Sequence, residues 1–459
     1  MKHLNYITRF LLTCILFPVF SIAFAGKSPL PTSFQPGKII NPVVCDADAS
    51  QTYAVYIPAR GNKAALPVIY MFDPHADGAL PLTKYKHLAD EYGFILVGSN
   101  NSKNGNDWQT TGSIWKKLFA DTQKKLKING NRIYTCGFSG GAKVAGYVAI
   151  EYPAVKGVIA NGAGLPDGVE AGNFGFSFTG VAGEGDMNMA VLLNFCNSLD
   201  NTATRHRMLL FNGKHEWAPA ATINIAFMGL EFDGMRQGLL PKNDSLISLY
   251  ITQSRQRITS LSQSKQLIKA KEECDIAASF LTGLSNESTW FDQQAGAIRA
   301  KPLYQNQLKQ QQALLNKEQQ LEAGYMQQFQ QGSMDYWTTT ISGLQKQAAA
   351  KTIESPMYQR LLAWLSLAFY SVSNQLINSN QNAAARHFVD LYKIADPTNS
   401  EAWYFSAILN ARSAMPQSAQ SDLLKAASCG FNDKGRLEQQ PEFKQLKLNL
   451  AVVENKMMK

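Results

Sequence analysis

The chain has 459 residues, enough for two or more domains around a sizeable core. Its 45% hydrophobic content is that of a globular protein, and a net charge of +9 is modest at this length. Lysine and arginine are scattered along it, which argues against a nucleic-acid-binding surface.

Met1–Ala25 reads as a secretory signal. Lys2 and Arg9 give a positive start, Phe10–Ile22 is apolar, and Ala23-Phe24-Ala25 is a cleavage site before Gly26. The apolar run is too short for a membrane span, and no second candidate follows. The mature chain is therefore expected to be exported, to a periplasm or beyond. Removing the leader takes Cys14 and leaves Cys45, Cys136, Cys196, Cys274 and Cys429, an odd number and too sparse for a disulfide framework.

From Gly26 a proline-bearing leader, Lys27–Pro42, is expected to lie extended on the surface. Thr52–Pro58 alternates like a half-exposed antiparallel edge strand. Pro67–Phe72 and Gly93–Gly98 are continuous apolar runs, as expected of strands covered on both faces, with a helix over Leu82–Tyr92 between them. A helix over Ser113–Lys127 leads to a strand at Ile133–Cys136, then a helix from Gly140. Further strands are read at Val155–Ala160, Phe176–Ala182 and Arg207–Phe211. This alternation predicts an α/β fold with a mostly parallel sheet, whose working groups collect at the carboxyl ends of the strands.

Beyond about Ala218, Gln becomes frequent and helix-length stretches dominate. Asp244–Phe280 and Leu303–Gln331 read as polar, solvated helices. Met357–Asn374, Ala383–Ile394, Ser400–Ser413 and Gln417–Cys429 read as paired amphipathic helices. A pattern begun at Trp364 recurs from Trp403, loosely matching a tetratricopeptide unit without its tyrosine. Two such units are fewer than an array needs alone, so this all-α region is expected to dock on the α/β part or on the earlier helices. The predicted organisation is residues 1–25 signal, 26–235 α/β domain, 236–350 helical linker region and 351–459 helical repeat-like domain.

Gly137-Phe138-Ser139-Gly140-Gly141, a G-x-S-x-G pattern, stands between a predicted strand and a predicted helix. A serine becomes a useful nucleophile when a strained turn exposes it near a base and unpaired backbone donors. The flanking glycines admit the close approach of strand and helix. The helix end beside Ser139 also favours a developing oxyanion, with Gly140 N–H as donor.

Only six histidines exist, so the base can be sought by elimination. A later loop must supply it, which excludes His3, His75 and His87. His206 lies at the wrong end of its strand, and His387 lies in a tail helix. His215, in the FNGKHEW loop after Arg207–Phe211, remains. The acid is expected after Phe176–Ala182, where Asp186 is preferred over Glu184 and Asp167. A second oxyanion donor is expected in the turn after Pro67–Phe72, from the backbone of His75 or Ala76, since Pro74 has no N–H. Trp108 and the Asn100–Asn104 cluster, Asn101 foremost, are candidates for lining the acyl pocket or its entrance.

With these residues in place, Tyr70–Trp217 resembles the α/β-hydrolase superfamily, and within it the secreted esterase and polyhydroxybutyrate-depolymerase-like branch. The resemblance rests on Asp73–His75, on Ser99–Gly105 with Trp108, on Gly137–Ala142 and on Gly213–Trp217. It implies a serine hydrolase of carboxylic esters, small or polymeric, with Ser139, His215 and Asp186 as nucleophile, base and acid. The family's oxyanion turn usually carries glycine after the histidine, where this chain has Ala76; a positive φ there would cost stability or shift the donor. A peptidase or acyltransferase on the same residues, or a binding protein that holds a partner through its helical tail, are the competing readings. No cofactor or metal motif is found, neither G-x-G-x-x-G nor a P-loop.

Overall fold

Eight strands form one sheet in the order β1-β2-β4-β3-β5-β6-β7-β8. They are β1 (Ile39–Cys45), β2 (Asp48–Tyr56), β3 (Leu66–Phe72), β4 (Ile95–Ser99), β5 (Ile128–Phe138), β6 (Val155–Asn161), β7 (Ser177–Gly183) and β8 (His206–Phe211). The computed structural model describes residues 34–59, 64–329 and 331–457, so the expected signal at Met1–Ala25 lies outside the described residues. β1 and β2 pair antiparallel, β2 pairs antiparallel with β4, and every later pairing is parallel. This is the α/β-hydrolase topology. The apolar runs are the central strands; from Pro67 to Phe72 every residue of β3 is buried.

Crossover helices cover both faces. They are α1 (Ala79–Tyr92), α2 (Trp108–Lys125), α3 (Gly140–Glu151), α4 (Met189–Leu199) and α5 (Ala220–Arg236). Asp107 caps α2 by accepting Thr110 N–H at 2.7 Å, and Lys124 and Lys125 sit at its negative end. α3 buries Gly141, Ala142, Ala145 and Gly146, so its backbone can lie close against the sheet.

One expectation fails at the amino end. The leader was expected to be extended surface through Pro42, yet β1 begins at Ile39 and takes the sheet edge, so the strand read at Thr52–Pro58 lies one place inside it. Proline hid the strand. Pro42 sits where the β1–β2 register slips, a place where a missing N–H costs no ladder bond.

The rest of the chain is helical: α6 (Asp244–Gln263), α7 (Leu267–Leu281), α8 (Ser288–Arg299), α9 (Pro302–Gln328), α10 (Met334–Ala349), α11 (Ser355–Asn378), α12 (Asn382–Ala395), α13 (Ser400–Arg412), α14 (Pro416–Ser428), α15 (Lys434–Gln439), α16 (Pro441–Gln445) and α17 (Leu450–Met457). The helical stretch read over Asp244–Phe280 is divided between α6 and α7 at Lys265, which turns the chain at φ 57°. Apolar clusters of buried residues hold the described part of the chain together. One lies between the sheet and its helices, one gathers α5 to α9 around Phe232 and Phe280, and one fills the tail around Trp337 and Phe369. Among the described residues no helix is long and apolar enough to cross a membrane.

Asp233, 3% exposed, joins β8 to α5 by pairing with Arg207, while Arg236 Nη1 approaches it at 2.8 Å. Burial pushes its carboxyl up, but the Arg207 guanidinium outweighs this and holds it below the usual range. A carboxyl lowered by folding stabilises above the unfolded value, about 4, and loses that contribution as pH falls through the folded value. Asp233→Asn should therefore cost about 3 kcal/mol in urea unfolding at neutral pH, since it strands buried guanidinium groups. The gap to the wild type should narrow as pH drops below about 4.

Candidate active site

β5 ends and α3 begins at Ser139, which adopts φ 53° and ψ −123°. A non-glycine residue there stores roughly 1–3 kcal/mol of strain. The geometry explains the glycines around it. A Cβ on Gly137 would lie 2.0 Å from Gly141 O, and one on Gly141 would lie 2.0 Å from Phe72 O. Strand β5, strand β3 and the first turn of α3 thus meet with no room for side chains. Ser139 N–H donates to Asn161 O at 2.8 Å, which ties the turn to β6.

His215 stands in the loop after β8, its Nε2 2.9 Å from Ser139 Oγ. Its Nδ1 is 3.0 Å from both oxygens of Asp186. Asp186 follows β7, is fully buried, and accepts Asn188 N–H at 2.8 Å. With Nδ1–H donating to Asp186, the neutral imidazole presents Nε2 as an acceptor for the serine proton. The alternative acids are engaged elsewhere. Glu184 pairs with Lys269 at 2.6 Å, and the exposed Asp167 pairs with Lys143 at 2.7 Å.

Asn161, which the sequence did not single out, and Trp217 fix the loop that carries His215. Asn161, fully buried at the end of β6, donates to Glu216 O at 3.1 Å and accepts Ala218 N–H at 2.7 Å. Trp217 Nε1 donates to Asp73 Oδ2 at 2.8 Å, bracing the loop against the turn after β3. A polar residue closing the buried run of residues 157–160 was the available signal for Asn161; nothing local marks the Trp217–Asp73 bond.

The turn after β3 spends its own donors. His75 N–H donates to Asp73 Oδ1 at 2.8 Å, and Ala76 N–H donates to Asp73 O at 3.1 Å. Ala76 has φ 62°, the positive value that favours glycine. Burial pushes the Asp73 carboxyl up, but hydrogen bonds from His75 and Trp217 prevail and hold it low. The Asp73 carboxylate in turn holds the exposed His75 imidazole above its ordinary range.

Beside Gly140 lies Asn104. A Cβ on Gly140 would fall 1.8 Å from Asn104 Oδ1. Asn104 N–H donates to Pro74 O at 2.8 Å, so this residue spans the gap between the β3 turn and the elbow. Asn101 is not brought to Ser139. Its amide accepts Thr52 N–H at 2.8 Å and donates to Ser50 O at 3.0 Å, pinning β2. Trp108 stacks on Tyr147 at 4.9 Å, two turns of α3 beyond Ser139, and is 43% exposed.

No family model matches the chain, and no curated protein matches it. Among solved structures it is similar to an esterase of the archaeon Pyrobaculum calidifontis, at 13% identity over 41% of this chain and 80% of that one, TM-score 0.34. It is similar also to a ferulic acid esterase, at 13% identity over 43% and 97% of the chains, TM-score 0.34. A third is the S-formylglutathione hydrolase of Staphylococcus aureus, at 11% identity over 39% and 90%, TM-score 0.33.

Ala76→Gly should raise stability by up to about 1 kcal/mol, the relief of left-handed strain offset by the freer unfolded chain. Urea midpoints of the two proteins check this; a lower midpoint for the glycine variant would contradict the strain assigned to this turn.

Proposed function

We propose that the protein hydrolyses carboxylic esters through an acyl-enzyme on Ser139. The carrying observation is the 2.9 Å approach of His215 Nε2 to the Ser139 hydroxyl, with Asp186 on the other ring nitrogen. In this reading His215 takes the serine proton as Oγ attacks the ester carbonyl, and Asp186 stabilises the imidazolium formed. The tetrahedral oxyanion collapses, His215 protonates the leaving alkoxide, and the acyl group stays on Oγ. Water then gives its proton to His215, attacks the acyl carbon, and Ser139 leaves with that proton restored.

In this reading the oxyanion rests on Gly140 N–H at the start of α3 and on the Asn104 side-chain NH2, which would turn to donate where Oδ1 now lies nearest Gly140. His75 and Ala76 are the backbone donors expected from the sequence, but Asp73 already engages both. Asn104 adjoins Gly140 and makes no side-chain hydrogen bond among the described residues. The Met1–Ala25 leader adds export to this reading, with Gly26 as the first residue of the mature chain.

Wild-type protein should cleave p-nitrophenyl acetate and butyrate, and Ser139→Ala should abolish this along with labelling by a fluorophosphonate probe; equal rates for the two proteins would reject the reading. Asn104→Ala should lower kcat by about 10²-fold with little change in KM, the usual loss for one oxyanion donor. An unchanged kcat would return the second donor to the backbone of the β3 turn.

A further inference from the structure

The loop that carries Asp186, residues 183–186, is held from two sides. On the inner side it is stitched to the base loop: Glu184 N–H donates to Phe211 O and Gly185 N–H to Gly213 O, both at 2.9 Å. Gly213 stands two residues before His215, so the acid and base loops are tied to each other. The outer side is held by the helical region. Arg360 on α11 donates through Nη1 to Glu184 O at 2.6 Å. Its Nε and Nη2 grip Glu318 of α9, at 2.8 and 2.5 Å, and both residues are only 5% exposed.

Neighbouring contacts land on the same short segment. Lys269 of α7 pairs with the Glu184 carboxylate at 2.6 Å. Gln359 of α11 covers Gly185 so closely that a Cβ there would lie 2.4 Å from its Oε1. Two helices from beyond the α/β part, α7 and α11, therefore converge on the segment immediately before Asp186, with Glu318 of α9 backing Arg360.

A contact that merely fastens one region to another can fall anywhere on the shared surface. This one uses a buried bidentate guanidinium, a group of fixed planar geometry, so gripping Glu318 through Nε and Nη2 fixes where Nη1 can donate. Its acceptor is a backbone carbonyl two residues from the carboxylate that must hold His215. Loops drift unless their backbone is tied, and proton relays tolerate little displacement.

We propose that Arg360, locked by Glu318, is a positioning residue for the Asp186–His215 pair, so that the helical region is a working part of the active site. This deepens the serine-hydrolase reading and rests on it. Loosening the clamp should let Asp186 swing from the imidazole without altering the groups that meet the substrate.

The test uses the full mature chain with Arg360→Met, Arg360→Lys and a matched control, Arg412→Met. Arg412 also pairs with a glutamate, Glu442, through one bond at 2.7 Å between half-buried groups, and donates to a backbone carbonyl, that of Ile377, outside the acid loop. With p-nitrophenyl butyrate, Arg360→Met should lose at least about tenfold in kcat at nearly constant KM. Arg360→Lys should recover part of that loss. Arg412→Met should lower the melting temperature while keeping the wild-type kcat. Wild-type kcat in Arg360→Met, or equal kcat losses in both Met variants, would overturn the proposal.

Were the wild type neither to turn over esters nor to label with fluorophosphonate, the hydrolase reading would fail on its own. The clamp is then read by hydrogen exchange of the amides of residues 183–188. Faster exchange there in Arg360→Met than in Arg412→Met supports the clamp, and equal exchange overturns it.

Discussion

The site depends on one close approach: the ends of β3 and β5 meet the first turn of α3 through Gly137 and Gly141, backbone against backbone, with no room for a Cβ at either. That contact leaves the chain no relaxed way to pass from strand to helix. Ser139 absorbs the mismatch in a positive φ, and its hydroxyl is thereby turned out toward the strand ends. The strain is local and is met by the surrounding sheet, whose central strands are buried on both faces. Everything else in the site is an arrangement for bringing partners to that fixed point.

Those partners come from successive loops on one rim, and each loop is tied to the next. Asp73 holds Trp217, Asn161 holds the backbone after His215, and the acid loop shares backbone bonds with Phe211 and Gly213. These are bonds between buried or half-buried groups, where an unpaired member would be costly, so each acts as a switch between made and broken rather than a gradual restraint. The reach of the helical region to Glu184 extends the same logic outward.

Much of this was legible in the sequence, for identifiable reasons. Continuous apolar runs announced the parallel strands, and the alternation with helices announced where their carboxyl ends would lie. Ser139, Asp186 and His215 followed from that placement, because topology brings the loops after β5, β7 and β8 to one edge. Three features were not legible. Pro42 concealed β1, since a proline at a register slip looks the same as one in a leader. Lys265 divided a long helical stretch through a left-handed turn that lysine does not advertise. Asn101 and Asn104 are chemically alike and three positions apart, and only the folded loop decides that one braces β2 while the other lies against Gly140. Arg360 was invisible for the same reason. A buried ion pair between distant helices leaves no local mark.

The central claim is that a covalent intermediate forms on one serine. Mixing the mature protein with p-nitrophenyl butyrate, quenching in acid and mapping peptides by mass spectrometry tests it directly. The account predicts a butyryl adduct on the peptide containing Ser139, at Ser139 itself, and none on that peptide in Ser139→Ala. Ester turnover with no adduct there, or an adduct on another side chain that tracks turnover, would contradict it.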